Sequence, residues 1–413
     1  MPDPGPIART GLPPVMLAPP PRSAYLHLPF CHRRCFYCDF PVVPLGDRAD
    51  GAHSASIATY LVQLQREIAL SPPGPPLSTV YLGGGTPSML TPAQVAALLT
   101  ALHRRYGLAP GAEVSLELDP ASFDQARLQG YLEAGVNRVS LGGQSFDDAV
   151  LADLGRRHRR VDLLQACQWL RQAQRRRALR SWSLDLIQAL PGSSPAHWQL
   201  QLQQAIASGA PHLSIYDLTL EPGTVFARRQ QQGQLALPDD DLAADLMDRT
   251  WQVLHRHGYG HYEISNYALP GHSARHNRVY WSGAGWWGFG LGATGAPAGV
   301  RQARPRTREA YAAWLEQQQP SSTAPSPQPL PLDDRLLVGL RRREGVNIAL
   351  LAAQHGLGVA PLQELARRLE PYRRQGLLQL EGPRWRLSDP EGLALSNGVL
   401  REMVAWWEQV AVG

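Results

Sequence analysis

The sequence predicts an α/β protein: a partial (β/α)6 barrel of the TIM type, followed by a smaller C-terminal α+β domain of winged-helix-like character. Three observations carry that reading. Six short apolar runs alternate with longer segments of helical period, the pattern of a parallel sheet built from strand-helix units. The residues with unusual chemistry follow the ends of those runs, where catalysis and binding sit in such barrels. Finally, Gln317 to Pro331 (QQQPSSTAPSPQPLP) has nothing to bury and reads as a linker.

Strands are expected at Ser23–Pro29, Thr79–Leu82, Glu113–Leu118, Arg138–Leu141, Ser181–Ile187 and His212–Leu218. Helix-period spacing places helices between them at about Ser54–Leu70, Pro92–Tyr106, Phe123–Ala134, Val161–Gln174 and Pro195–Ser208. Six units exceed a simple hairpin fold and fall short of the closed eight-fold barrel, so the barrel is read as partial. Its strand ends carry the cysteines, then Gly83–Thr86, Glu117 with Asp119, Gly142–Gln144, Asp185, and Tyr216 with Asp217. The organisation that follows is a disordered proline-rich start over 1–22, the barrel over 23–230 and a barrel-closing extension over 231–316. The linker covers 317–331 and the C-terminal domain 332–413, whose run Gly376 to Leu387 (GLLQLEGPRWRL) reads as a hairpin wing.

Composition excludes wholesale disorder, since 44% of the 413 residues are hydrophobic and 18% charged. The formal charge of +5 comes from arginine-rich runs such as Arg156 to Arg160, read as solvated helix faces rather than a nucleic-acid surface. No segment has the apolar length of a membrane span, and the start has no signal-type apolar core, so a cytoplasmic protein with at most peripheral membrane contact is expected. Four cysteines in such a chain do not suggest a disulfide framework.

Cys31, Cys35 and Cys38 instead suggest a metal site. Spacings of three and then two residues let three thiolates from one tight loop wrap a single [4Fe-4S] cubane. Three ligands leave one iron open, which suits a cofactor that must bind the metal. Arg33 and Arg34 would favour the thiolate form. The competing reading, structural zinc, wants a fourth Cys or His at comparable spacing, and His32 lies between ligands. Cys167, in LLQACQWL, reads as a buried small residue.

The run Tyr25 to Phe40 (YLHLPFCHRRCFYCDF) resembles the radical S-adenosylmethionine (SAM) family, in the branch related to oxygen-independent coproporphyrinogen III oxidase, and within it the HemW-type heme chaperones. The resemblance extends to about Asn397. It implies a [4Fe-4S] cluster on the three cysteines and SAM bound along Gly83 to Ser88 (GGGTPS), with Gly84, Gly85 and Thr86 against its methionine part. It further implies that Glu117 binds SAM, that Gln144, Arg156 and Asp185 surround SAM or a second such ligand, and that Tyr25 and Tyr37 lie beside the pocket. Gly288 to Gly295 (GFGLGATG) lacks the βαβ context of a dinucleotide fingerprint and instead resembles the family loop over the adenosyl side, with Ala296 touching SAM.

His276 to Trp281 (HNRVYW) resembles the HNxxYW motif of the chaperones, which implies His276 as a heme-iron ligand with Tyr280 as a flat porphyrin surface. The residue-level alternative is a histidine bonded within its own loop. His27 shares a strand face with Tyr25 and is expected to face the same pocket. One departure separates the relatives: the decarboxylating enzymes carry a further Cys two residues after the third ligand, and here that residue is Phe40. The expectation is a heme chaperone passing heme to acceptors such as respiratory enzymes, with an electron donor such as a flavodoxin or ferredoxin and a possible homodimer. The alternative is an oxidase acting on a coproporphyrinogen propionate.

Overall fold

The structure, a computed structural model, describes residues 20–47, 49–323 and 330–412. Most of the proline-rich start, and residues 324–329 of the expected linker, therefore lie outside the described residues. The barrel strands are β1 (Ser23–Leu28), β2 (Leu77–Gly84), β3 (Leu108–Leu118), β4 (Arg138–Gln144), β5 (Ser181–Gln188) and β6 (His212–Asp217). They pair in that order, all parallel.

The intervening helices include α1 (Ala55–Leu70), α2 (Pro92–Tyr106), α3 (Gln125–Glu133), α4 (Asp148–Asp153), α5 (Arg160–Arg175) and α6 (Pro195–Ser208). Their starts are written locally. Thr91 and Gln94 form a reciprocal capping box ahead of Pro92, and Ser194 caps the helix that opens on Pro195. Cys167 is buried in α5.

The sheet is wider than six strands. After α7 (Val225–Gln231) and α8 (Asp240–Arg256), β7 (Gly260–Glu263) and β8 (Asn266–Ala268) fold back antiparallel beside β6. Helix α9 (Arg275–Ser282) then leads to β9 (Trp287–Phe289), which lies parallel against β1. The sheet order is thus β9-β1-β2-β3-β4-β5-β6-β8-β7. The glycine run is therefore partly an edge strand. At Gly288 a Cβ would stand 2.5 Å from the Thr294 carbonyl, so the glycine lets two backbones cross.

The barrel strands alternate, most clearly in β3 to β6. Leu26, Val80, Leu116, Val139, Leu184 and Leu213 point outward into a buried apolar layer under the helices. In β3 to β6 the neighbours in sequence point inward and are polar: Ser115, Arg138, Ser140, Ser183, His212 and Ser214 all line the interior cavity.

Helix α10 (Arg308–Glu316) packs on the barrel, and the start of the expected linker does so as well. Ser321 N donates to Leu70 O at 3.1 Å, and Arg105 reaches Ser321 O at 3.1 Å. Beyond it, helices α11 (Leu332–Gly339), α12 (Ile348–Gln354), α13 (Val359–Arg368), α14 (Glu370–Arg374), α15 (Glu391–Ala394) and α16 (Ser396–Val412) surround a small antiparallel sheet. Its strands are β10 (Val346–Asn347), β11 (Leu378–Glu381) and β12 (Arg384–Leu387), in the order β10-β12-β11. This unit has its own core, including Leu336, Leu365, Trp385 and Trp406.

Candidate functional site

A cavity of about 370 Å³ runs down the barrel from the cysteine loop at the carboxyl ends of the strands to Ala274 and Asn277 beneath. The loop is pinned at both ends. Phe30–Cys31 pairs with Val43–Pro44, Val43 N donates to Pro29 O at 2.7 Å, and Leu45 N donates to Cys31 O at 2.8 Å. Cys31, Cys35 and Cys38 all line the cavity. Among the described residues no three His, Cys, Asp or Glu side chains are placed to hold one metal ion. Three thiols on one tight loop at the mouth of the cavity are the donor set of a cubane that keeps one iron open.

One further observation fits that group. A Cβ on Gly85 would lie 2.9 Å from Cys31 Sγ and 2.6 Å from Phe30 O, so only glycine passes beneath the first sulfur. Cys31 is 9% exposed, and burial pushes its thiol up to about 12. The cation nearest the sulfurs is not the one expected. Arg33 pairs with Asp47 at 3.5 Å, and Arg34 reaches Cys38 O at 3.5 Å and Val42 O at 3.4 Å. Arg156, from after α4, places Nη1 3.6 Å from Cys35 Sγ.

Arg156 also donates through Nη2 to Asp119 Oδ2 at 2.7 Å and to Gly142 O at 2.9 Å. Burial alone would raise Asp119, but the Arg156 guanidinium and His158 hold it well below the usual carboxylate range. Glu117 is the opposite case. Burial pushes it up to about 7, with the nearby Asp185 adding to the rise, against hydrogen bonds from Tyr81 Oη at 2.8 Å and Gly84 N at 2.9 Å. Gly84 sits at φ +120°, where a Cβ would meet the His27 ring at 2.6 Å. Asp185 accepts from Ser140 at 2.8 Å through Oδ2, while its Oδ1 is buried without a partner among the described residues. Gln144, in the left-handed region at φ 63°, also lines the cavity, as do Thr86 and Tyr37.

Several expected contacts are absent from the cavity wall. Tyr25 is bonded to His27 Nδ1 at 2.9 Å and does not line the cavity. His27 does not face it either: its Nε2 is 3.1 Å from Pro41 O, so the ring ties β1 to the end of the cysteine loop. Ala296 is fully buried beside Trp286, Tyr25 and Tyr280, and its N donates to Trp286 O at 2.9 Å. The His276 side chain is 0% exposed, with Nδ1 2.8 Å from Thr79 Oγ1 and Nε2 2.8 Å from Tyr280 Oη. Tyr280 packs edge-on to Trp286 and caps that histidine.

Sequence reasoning missed the inward polar face. Ser115 Oγ, Arg138 Nη2 and His212 Nδ1 are buried there without hydrogen-bond partners among the described residues. The signal lay in the strict alternation of EVSLEL, RVSL and HLSIYDL, which marks two-sided strands rather than plain apolar runs.

Comparison with known proteins agrees with this geometry. The profile of the Radical SAM superfamily matches residues 25–200, and that of the HemN C-terminal domain matches residues 331–394. The chain is 41% identical over 412 residues to a heme chaperone HemW of Synechocystis sp., covering 94% of this chain and 98% of the relative. It is 38% identical over 280 residues to the heme chaperone HemW of Escherichia coli, covering 68% and 71%. It is also 38% identical over 304 residues to the mouse mitochondrial protein named radical S-adenosyl methionine domain-containing protein 1, covering 70% and 67%. The solved coproporphyrinogen III oxidase HemN of E. coli, described as a radical SAM enzyme, superposes with a TM-score of 0.74 over 93% of this chain and 90% of that one. At 22% identity that likeness establishes the fold. A parallel barrel with a three-cysteine loop at its mouth, matched in sequence almost end to end, leaves one conclusion: the chain belongs to the HemW family of the Radical SAM superfamily.

Proposed function

We propose that this protein is a heme chaperone: it binds heme and passes it to heme-requiring acceptors, and it carries a SAM-binding [4Fe-4S] cluster. The observation that carries this reading is Phe40, 51% exposed on the cavity rim at the position where the decarboxylating relatives have a further cysteine. With Tyr216, 42% exposed across the same cavity, it offers flat apolar surface. Arg33, Arg34 and Arg157 line the same opening and suit propionates.

Cys31, Cys35 and Cys38 would hold three irons, and the bare backbone of Gly84, Gly85 and Thr86 would lie along the methionine part of SAM. Glu117, Gln144, Arg156 and Asp185 would surround the rest. When bound, cluster and SAM supply one-electron chemistry, with electrons from a flavodoxin- or ferredoxin-type donor. The chain's own residues hold and orient: Asp119 fixes Arg156 against the sulfur of Cys35, and the closed apolar layer keeps water from reaching the loop from behind. No described helix is long and apolar enough to cross a membrane, and delivery from the cytoplasm is part of the proposal.

The test is anaerobic reconstitution followed by heme titration. Saturable binding seen by absorbance, and transfer to an apo-acceptor, is the expected result. Conversion of coproporphyrinogen III to protoporphyrinogen with SAM and reductant, without heme uptake, overturns the chaperone reading in favour of the oxidase.

A further inference from the structure

The turn after α4 ties the cysteine loop to the barrel wall. Phe36 N donates to Leu154 O at 3.0 Å, and the Phe36 ring lies so close that a Cβ on Gly155 would stand 3.1 Å from it. Gly155 is at φ +74°, in the left-handed region, so this glycine both turns the chain and makes room for the ring. Arg156 follows, its N donating to Leu151 O at 2.9 Å. The neighbour of Cys35 and the neighbour of Arg156 are thus in contact, and the backbone sets the loop and the arginine against each other.

The guanidinium is fixed from the other side. Nη2 is spent on Asp119 and Gly142 O, and Asp119 is itself held, its N donating to Ser88 Oγ at 3.1 Å and its Oδ1 accepting from Ala121 N at 2.9 Å. Nη1 is left to the sulfur of Cys35, at 3.6 Å. The two arginines inside the loop do not compete, since Arg33 turns to Asp47 and Arg34 to backbone carbonyls. A sulfur that ligates iron carries part of a negative charge, and that charge grows when the cluster is reduced. A directed N–H donor therefore stabilises the reduced form more than the oxidised one. Because Asp119 balances the charge of the guanidinium, the effect rests on the direction of that N–H more than on net charge.

We propose that Arg156 tunes the cluster: its Nη1–H donates to the sulfur of Cys35 and raises the reduction potential. This rests on the reading of Cys31, Cys35 and Cys38 as cluster ligands given above, and it is separate from any contact of Arg156 with SAM. One electron from a flavodoxin- or ferredoxin-type donor enters the cluster. No proton moves with it, because the guanidinium keeps its protons.

The experiment uses the full-length, cluster-reconstituted protein without SAM, so that a lost cofactor contact cannot move the result. The midpoint potential is read by titration with dithionite and mediator dyes, followed by the electron paramagnetic resonance of the reduced cluster. Arg156→Lys keeps a cation for Asp119 but has no second arm for the sulfur. It is expected to disfavour reduction about tenfold, the worth of one hydrogen bond to a charged group, which is about 59 mV lower for a one-electron couple. Protein grown on arginine labelled with nitrogen-15 in the guanidinium should show coupling of that nucleus to the reduced cluster in pulsed resonance, and Arg156→Lys should lose it.

If Arg156→Lys does not take up a cluster, the labelled wild type decides alone. An unchanged or higher potential in fully loaded Arg156→Lys, or a labelled wild type without the coupling, overturns the proposal while leaving the cluster reading intact. A wild type that binds no iron and sulfide removes the cluster reading and this inference together.

Discussion

At the scale of single residues, the cavity separates two carboxylates by environment. Asp119 is held ionised by Arg156, whereas Glu117 is lifted to about 7, chiefly by burial. A carboxyl whose folded value exceeds its unfolded one stabilises the fold fully below the unfolded value and loses that contribution as pH rises toward 7. Binding runs the other way, because Glu117 gains its full acceptor capacity only above about 7. SAM affinity measured between pH 6 and 8.5 should therefore rise with pH through that value, and Glu117→Gln should be both weak and flat. A flat wild-type profile would contradict it. Arg156→Leu strands the Asp119 carboxylate in a mostly buried site, where an unpaired charge costs about 3–5 kcal/mol. Urea unfolding of the iron-free protein isolates that loss from any effect on the cluster, and a loss below 1 kcal/mol would show that Asp119 finds other partners. Gly85→Ala drives a methyl into Cys31 Sγ and should leave iron per chain well under the wild-type content while the far-ultraviolet spectrum is unchanged.

At the scale of elements, helices α1, α2 and α6 are written almost to the residue in apolar period and caps, because both are short-range properties. The edge strand β9 is not. It is three residues long, glycine-rich and held from a distance by Glu67 of α1, whose buried carboxylate accepts from Gly290 N at 2.7 Å, Arg304 Nε at 2.6 Å and Tyr311 Oη at 2.7 Å. Those partners lie more than 200 positions downstream, beyond the reach of any window on the sequence. Glu67→Leu removes the acceptor shared by α1, β9 and α10 and should cost about 3–5 kcal/mol in urea unfolding. A near-neutral result would mean that apolar packing alone closes this edge.

At the scale of the whole molecule, two hydrophobic cores are joined among the described residues by Ile264 N to Arg341 O at 3.0 Å, Arg343 N to Tyr262 O at 3.2 Å, His261 to Asp389 at 2.7 Å, Arg335 to Ser282 O at 2.6 Å, and the Arg301–Asp334 and half-exposed Arg278–Glu344 pairs. Exposed pairs of that kind contribute about 0–1 kcal/mol. Native-state hydrogen exchange should accordingly find the amides of α16 opening together at a lower free energy than those of β3 to β5, and a single shared opening energy would mean one cooperative unit. The sequence by itself determined the alternation of strand and helix, the three-thiol loop and the family, because periodicity, spacing and motif are local and survive reading in one dimension. Only the tertiary structure decided that Arg156 rather than Arg34 meets the sulfur of Cys35, that the barrel interior is polar, and that His276 is buried against Tyr81. Each of those facts is a meeting of side chains from strands and helices far apart in the chain, and which faces meet is set by sheet order and register, which no local pattern encodes.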